Sequence, residues 1–450
     1  MKQRERPAHF FSRATKKKKK LNKQATITIY CGAHRGLTAR RRQEIGLRES
    51  MLLPVGAAVT LVGVYLLITY FKDLDLSAVV NAYFFVLSSA ALFGAAAPPL
   101  RRVFGGGGGE SEENNRNLGV EVSLPKGLFL DEQGDSVTKA TLRASDAAAL
   151  VFALSVAAAD ALTHHQNFTL SNACAAAVAA DVLQLLGLRS FKAAGLLLGG
   201  LACYDVLAVF ASGALTADGE SLMSKVALAA SGPTRLLFPR SAADLASSAS
   251  ASPFPFSLLG LGDVAIPGLL ACLALKYDAS RSVDMNARAR AAAKAIDGAL
   301  AELSASNPRA GDREYGDAAA DAAAAAFEVV AAAEARARES SVSGSSSSSG
   351  EKGLQQHNHP DHEHHEAVVT EAALSSRVYF QAVMGAYALG LLIAFAVNAA
   401  TGSGQPALLY LCPATLGAVA LTAARRQEVE RILSYKVAAG KPLFPAKEKV

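Results

Sequence analysis

Eight runs of roughly twenty apolar residues constrain this chain more than any other feature. They fall at about 51–71, 77–98, 146–163, 168–188, 193–212, 256–276, 379–399 and 405–424, the third being shorter and Ala-rich. A run of that length crosses the hydrocarbon core of a bilayer as a helix. Backbone groups in lipid must be bonded within the protein, and a single segment achieves this only as a helix. The expected fold is therefore an all-α polytopic membrane bundle, and size rules for soluble domains do not apply.

The segments between the runs are of a different character. The first 50 residues carry 15 Lys/Arg against 3 Asp/Glu, so the formal +6 of the chain conceals a mildly acidic remainder. This stretch has no apolar core of the kind a signal peptide needs. It reads as a disordered cytosolic arm (1–50), with a transit segment or a mis-assigned start as alternatives. Residues 51–98 hold the first two spans. Residues 99–145, with "GGGGGESEENN", read as a polar loop, and 146–277 as the membrane core. Within that core, residues 213–255 join two spans and carry "SGPTRLLFPR" (231–240), read as an interfacial turn. Residues 278–378 form a low-complexity cytosolic insertion: Ala-rich helix formers, the linker "SVSGSSSSSG", then "HNHPDHEHHE". Residues 379–424 hold the last two spans and 425–450 a basic tail. The five cysteines include no CxxC pair, and four lie in apolar runs, where Cys acts as a small hydrophobe.

Two carboxylates stand inside apolar runs: Asp205 in "GGLACYDVLAVF" (199–210) and Asp263 in "LLGLGDV" (258–264). An ionised Asp at mid-bilayer costs about 2.5–3.5 kcal/mol on insertion scales. Either residue alone is equally well read as a packing partner, an ion site or a proton relay. Together, on consecutive spans, they suit a pair that shares one proton, one acting as base while the other acts as acid. Such a pair hydrolyses a peptide through a water held between its members. Gly260 and Gly262 leave room beside Asp263 for a peptide backbone. The last span opens with "GQPALLYLCP", where Pro406 suits a helix start because its missing N–H would be unpaired there.

Taken together, Tyr204-Asp205, Gly260-Leu261-Gly262-Asp263 and Pro406-Ala407-Leu408 resemble the three motifs of the signal peptide peptidase family of intramembrane aspartyl proteases. The resemblance covers about residues 146–278 and 377–436, with a weaker echo at 77–96. It extends to "MSKVALAASGPTRLLFPR", "YFQAVMGAYALGLLIAF" and "QPALLYLCP". It implies that Asp205 and Asp263 are catalytic and that Tyr204 shapes the first aspartate's surroundings. It further implies that Gly260, Leu261 and Gly262 make room for substrate, and that Gln405, Pro406, Ala407 and Leu408 help to form the active site. Which aspartate is acid and which is base stays open. Presenilin shares these motifs but carries its large loop between the two aspartate helices. Here the aspartates are 58 positions apart and the insertion follows the second, which favours the peptidase branch.

The resemblance implies hydrolysis within transmembrane segments, such as signal-peptide remnants and type II proteins. It implies no metal and no organic cofactor, and a place in the endoplasmic reticulum membrane. Its partners are the bilayer and transmembrane substrates; a homo-oligomer is compatible with it. The family has nine spans where eight are visible, and the gap falls at the third, within 99–145. Eight spans put the basic N-terminus in the cytosol by the positive-inside rule and nine put it in the lumen. A non-catalytic scaffold or chaperone, or a proton-coupled transporter, would use the same carboxylates without proteolysis. The histidines at 357–365 read as a solvated tract rather than a metal site, and the sequon Asn167-Phe168-Thr169 as unused against the membrane. The Lys-rich arm has no aromatic interleaving, so no nucleic-acid partner is expected.

Overall fold

The computed structural model describes residues 7–38, 43–70, 76–104, 120–123, 139–163, 167–211, 234–239, 256–308, 311–343, 377–401 and 405–437. It divides the chain into two compact units, residues 1–274 with 381–450, and residues 275–380. Seven helices among the described residues are long and apolar enough to cross a membrane. They are α2 (Leu47–Tyr70), α3 (Leu76–Phe104), α4 (Ala144–Leu162), α5 (Phe168–Leu185), α6 (Phe191–Val206, prolonged by a π turn over Leu207–Ala211), α9 (Val378–Thr401) and α10 (Leu408–Arg425). The remaining helices are α1 (Pro7–Thr38), α7 (Leu261–Ser306), α8 (Asp312–Ser343) and α11 (Val429–Ser434).

Small residues set the packing of the larger unit. Ala149, Ala153 and Ala157 recur every fourth position on α4 and are buried. Ala153 and Ala157 lie against Ala91 and Leu92 of α3 and Cys174, Ala177 and Val178 of α5. Side chains this short let helix axes approach, and dispersion then holds apolar helices together where no hydrophobic force acts between them. The outer faces are apolar as well. Leu52, Val55, Val59 and Leu66 of α2 are all exposed. A soluble surface does not carry a stripe of that extent, whereas lipid covers it at no cost.

Several sequence expectations are corrected. Residues 1–50 are not a disordered arm throughout. Pro7–Thr38 is helical, and Ala25, Ile29 and Ala33, spaced four apart, are buried. Lys is a good helix former, and the weakly charged second half of α1 carries an apolar face that packs on α5. A Cβ on Gly32 would lie 2.9 Å from Leu183 Cβ, so only glycine permits that approach. Asn22 Nδ2 donates to the Ala388 carbonyl at 2.9 Å, and Arg35 faces Asp181 at 3.9 Å. α1 thus packs on the larger unit ahead of the first apolar run, though it is not one of the seven apolar helices.

Residues 99–145 are not loop throughout. α3 continues past Pro98 and Pro99 to Phe104, and Arg101 Nε meets Asp146 Oδ1 of α4 at 2.7 Å, which secures that end. Strands β2 (Val120–Ser123) and β3 (Lys139–Leu142) then pair antiparallel.

The sixth apolar run does not begin as a helix. β5 (Arg235–Pro239) and β6 (Phe256–Gly260) pair antiparallel, and α7 starts only at Leu261. With Asp263, Lys276 and Asp278 near its start, α7 falls outside the seven apolar helices, although Leu269–Leu275 are buried. Strands β1 (Gln43–Ile45) and β4 (Leu186–Leu188) form a short parallel pair elsewhere in this unit. The described part of the basic tail contains α11, and Val437 N–H donates to the Arg189 carbonyl at 2.8 Å.

In the smaller unit the described part of the insertion is largely helical, in keeping with its alanine content: α7 runs to Ser306 and α8 covers Asp312–Ser343. Arg288 lies over the Phe327 ring at 5.7 Å. At the base of the unit the fully buried Asp278 accepts hydrogen bonds from the N–H groups of Tyr379 (3.3 Å) and Phe380 (2.9 Å), the first turn of α9. Tyr277 and Tyr379 meet edge to face at 5.1 Å. The Ser-rich linker and the histidine cluster lie outside the described residues.

Candidate active site

Asp205 stands one residue before the end of α6 and is 3% exposed. Its Oδ2 accepts a hydrogen bond from Leu408 N–H at 3.1 Å. Leu408 is the first residue of α10, where backbone donors have no partner in their own helix. Ala407 precedes it as a cap without a side-chain acceptor, and Pro406 contributes no N–H. The donor that the Pro-Ala-Leu stretch leaves unsatisfied is therefore met by a carboxylate on another helix. This is an inter-helix cap, and it fixes the orientation of Asp205.

Asp263 arrives by a different local device. β6 ends at Gly260, and Leu261 N–H donates to the Thr234 carbonyl at 3.1 Å, continuing the β5–β6 ladder into the first residue of α7. The chain turns there from strand to helix, so Asp263 occupies the first helical turn with its carboxylate hydrogen-bonded to the Gly260 backbone. A Cβ on Gly260 would sit 3.3 Å from Asp263 Oδ2, tighter than ordinary contact. Gly262 is exposed, and a Cβ there would meet nothing nearer than Ile266 Cδ1 at 3.8 Å. The two carboxylates lie close enough to feel each other's charge.

The residues singled out in the sequence do not all converge. Asp205, Asp263, Gly260 and Leu408 come together, and Tyr204 lies half-buried within electrostatic reach of Asp205. Leu261 contributes its backbone to the strand–helix junction. Gln405 bonds instead to its neighbours: its Nε2 donates to Thr401 Oγ1 at 3.2 Å and its Oε1 accepts from the Tyr410 hydroxyl at 3.5 Å.

Sequence reasoning missed three side chains here. Tyr387 of α9 is 1% exposed, its hydroxyl has no hydrogen-bond partner among the described atoms, and Asp263 acts on it electrostatically. Cys412 of α10 is buried and lies within reach of both aspartates. Asn172 of α5 is buried and bonded to β5. The only signal for Tyr387 and Asn172 was a polar group inside an apolar run. Beside the site, burial holds the Arg235 guanidinium of β5 below its ordinary value.

Fold and site together define a polytopic all-α membrane protein with two carboxylates within electrostatic reach of each other. The chain belongs to the signal peptide peptidase family: the profile of that description matches residues 38–439. It is 27% identical over 263 residues to human signal peptide peptidase, a match covering 57% of this chain and 64% of that protein. It is 34% identical over 143 residues to chicken signal peptide peptidase-like 2B, covering 28% of this chain and 23% of the relative. It is 36% identical over 96 residues to intramembrane protease 2 of Caenorhabditis elegans, covering 21% and 18%. The matched region thus spans less than two thirds of the length of the curated relatives. No solved structure matches.

Proposed function

We propose that this protein is an intramembrane aspartyl endopeptidase acting on transmembrane segments, with signal-peptide remnants and type II membrane proteins as its substrate class. The observation that carries the reading is the bond by which Leu408 N–H holds Asp205, with Asp263 within electrostatic reach of it. Two carboxylates at close range in a low-dielectric site share a proton, so one is a base while the other is an acid. The base takes a proton from a water between them, and the hydroxide so formed attacks the scissile carbonyl carbon. The acid gives its proton to the carbonyl oxygen. Collapse of the tetrahedral intermediate breaks the C–N bond as the amine nitrogen receives a proton. No covalent enzyme intermediate, metal or cofactor is required.

A helix offers no free backbone to a protease, so the substrate must be extended at the cut. β6 supports this step. It leads directly into the Asp263 turn and is an edge strand among the described residues. An extended peptide added there brings its own amides toward the aspartates. The endoplasmic reticulum membrane is the proposed location.

The test is cleavage of a labelled signal peptide by purified protein in detergent. Wild type is expected to cut, and Asp205→Ala and Asp263→Ala to insert but not cut. Binding of an aspartyl transition-state analogue is expected to vanish in both variants. Normal turnover by either variant would remove the mechanism, and Asp-dependent proton flux in liposomes without proteolysis would favour a transporter.

A further inference from the structure

We propose that Asn172 is a positioning residue that closes one edge of the β5–β6 sheet and so directs an extended substrate to the other edge. The proposal rests on the proteolytic reading above and deepens it.

Asn172 lies near the start of α5, inside an apolar span, and is buried. Its Nδ2 donates to the Leu237 carbonyl at 2.7 Å, and its Oδ1 accepts from Leu237 N–H at 2.7 Å. One amide side chain thus occupies both backbone groups of a single strand residue, as a neighbouring strand would. In lipid an unpaired strand edge carries donors and acceptors with no water to satisfy them. Asn172 removes that cost for the centre of β5 and excludes any added strand on that side.

The register then decides which groups β6 presents. In an antiparallel pair, facing residues alternate between those that exchange hydrogen bonds and those whose N–H and C=O turn outward. Leu237 turns both groups to Asn172, away from β6, so its partner Leu258 turns both of its own away from β5. The same alternation agrees with Leu261 N–H bonding to the Thr234 carbonyl, three residues before Leu237 on the other phase of the ladder. Phe256 and Leu258 therefore present backbone groups on the outer edge of β6, just before the turn that carries Asp263. An extended peptide can pair there and not at the centre of β5. Because side chains alternate with a period of two, a fixed register on β6 also fixes which peptide bond reaches the aspartates.

The test uses the full-length protein in detergent with a labelled transmembrane peptide. Variants are Asn172→Ala, which loses both bonds, and Asn172→Asp, which regains the bond to the Leu237 carbonyl only when protonated. Losing two such bonds is expected to raise KM about tenfold or more in Asn172→Ala, with kcat changed less. Mass spectrometry of the products is expected to reveal cleavage spread over adjacent bonds. In Asn172→Asp, scatter relative to wild type is expected to grow as pH rises and to shrink at low pH, a response that a misfolded variant does not give. A wild-type KM and a single cut position in Asn172→Ala would overturn the proposal, as would pH-independent scatter in Asn172→Asp. If wild type cuts nothing, the proteolytic reading fails and the directing role with it. The edge closure is then read separately from amide exchange over residues 235–239: faster exchange in Asn172→Ala upholds it, and unchanged exchange overturns it.

Discussion

Replacing Asp205 by Asn and by Ala separates the structural task of this carboxylate from its chemical one. The Asp205 oxygen that accepts from Leu408 N–H serves a buried donor at a helix start. Asn has the same shape and keeps a carbonyl acceptor; Ala removes it. A buried donor left without a partner costs about 1–3 kcal/mol. For a chain of 450 residues that corresponds to a fall of roughly 1–3 °C in Tm. Asp205→Asn is expected to stay within about 0.5 °C of wild type on the same scale. Neither variant can share a proton between two carboxyl groups, so both are expected to lose cleavage by at least about 10²–10⁴-fold. The assay is thermal unfolding of purified protein in one detergent, run beside peptide cleavage. Equal Tm values for Asn, Ala and wild type would refute the inter-helix cap, and a cleaving Asp205→Asn would refute the proton-sharing pair.

Other outcomes follow from close contacts and buried groups. Gly32→Ala places a Cβ 2.9 Å from Leu183 Cβ and 3.2 Å from Ala180 Cα, groups that cannot swing away. A loss of about 1–3 kcal/mol in detergent stability is expected. Gly268→Ala meets side-chain atoms alone, the Leu183 methyls at 2.8 and 3.0 Å and Ile29 Cγ1 at 3.4 Å, and should cost less; the order of their unfolding temperatures checks this. Gly260→Ala crowds Asp263 Oδ2 at 3.3 Å, so kcat is expected to fall while Tm changes little. Asp278→Ala strips both N–H partners from the first turn of α9, an expected loss of about 1–3 kcal/mol, read as faster amide exchange at Tyr379 and Phe380.

Much of the bundle was legible because apolar length and lipid solvation are properties of local sequence. The runs behind α2–α6, α9 and α10 needed no partner to be recognised. α1 was not legible, since a Lys-rich helix reads as solvated until Ala25, Ile29 and Ala33 are seen to face α5. The strand at Phe256–Gly260 was hidden for a related reason. "FSLLG" is as apolar as the helix after it, and a short apolar run has no period that tells strand from helix. What reveals the strand is β5, whose start lies twenty-one residues before the start of β6.

The site divides in the same way. Asp205, Asp263, the glycines and Pro406 stood out in the sequence because charge, missing side chains and a missing N–H are costly or distinctive in lipid wherever they occur. Their mutual arrangement did not stand out. That Leu408 N–H caps Asp205, that Tyr387 and Cys412 lie near Asp263, and that Asn172 holds β5 are facts about groups 65 to 203 positions apart in the chain. The cost of placing a polar group in an apolar run is set by the residue and its immediate surroundings, so the sequence determined it alone. How that cost is met depends on which helix lies alongside, and only the tertiary structure decided that.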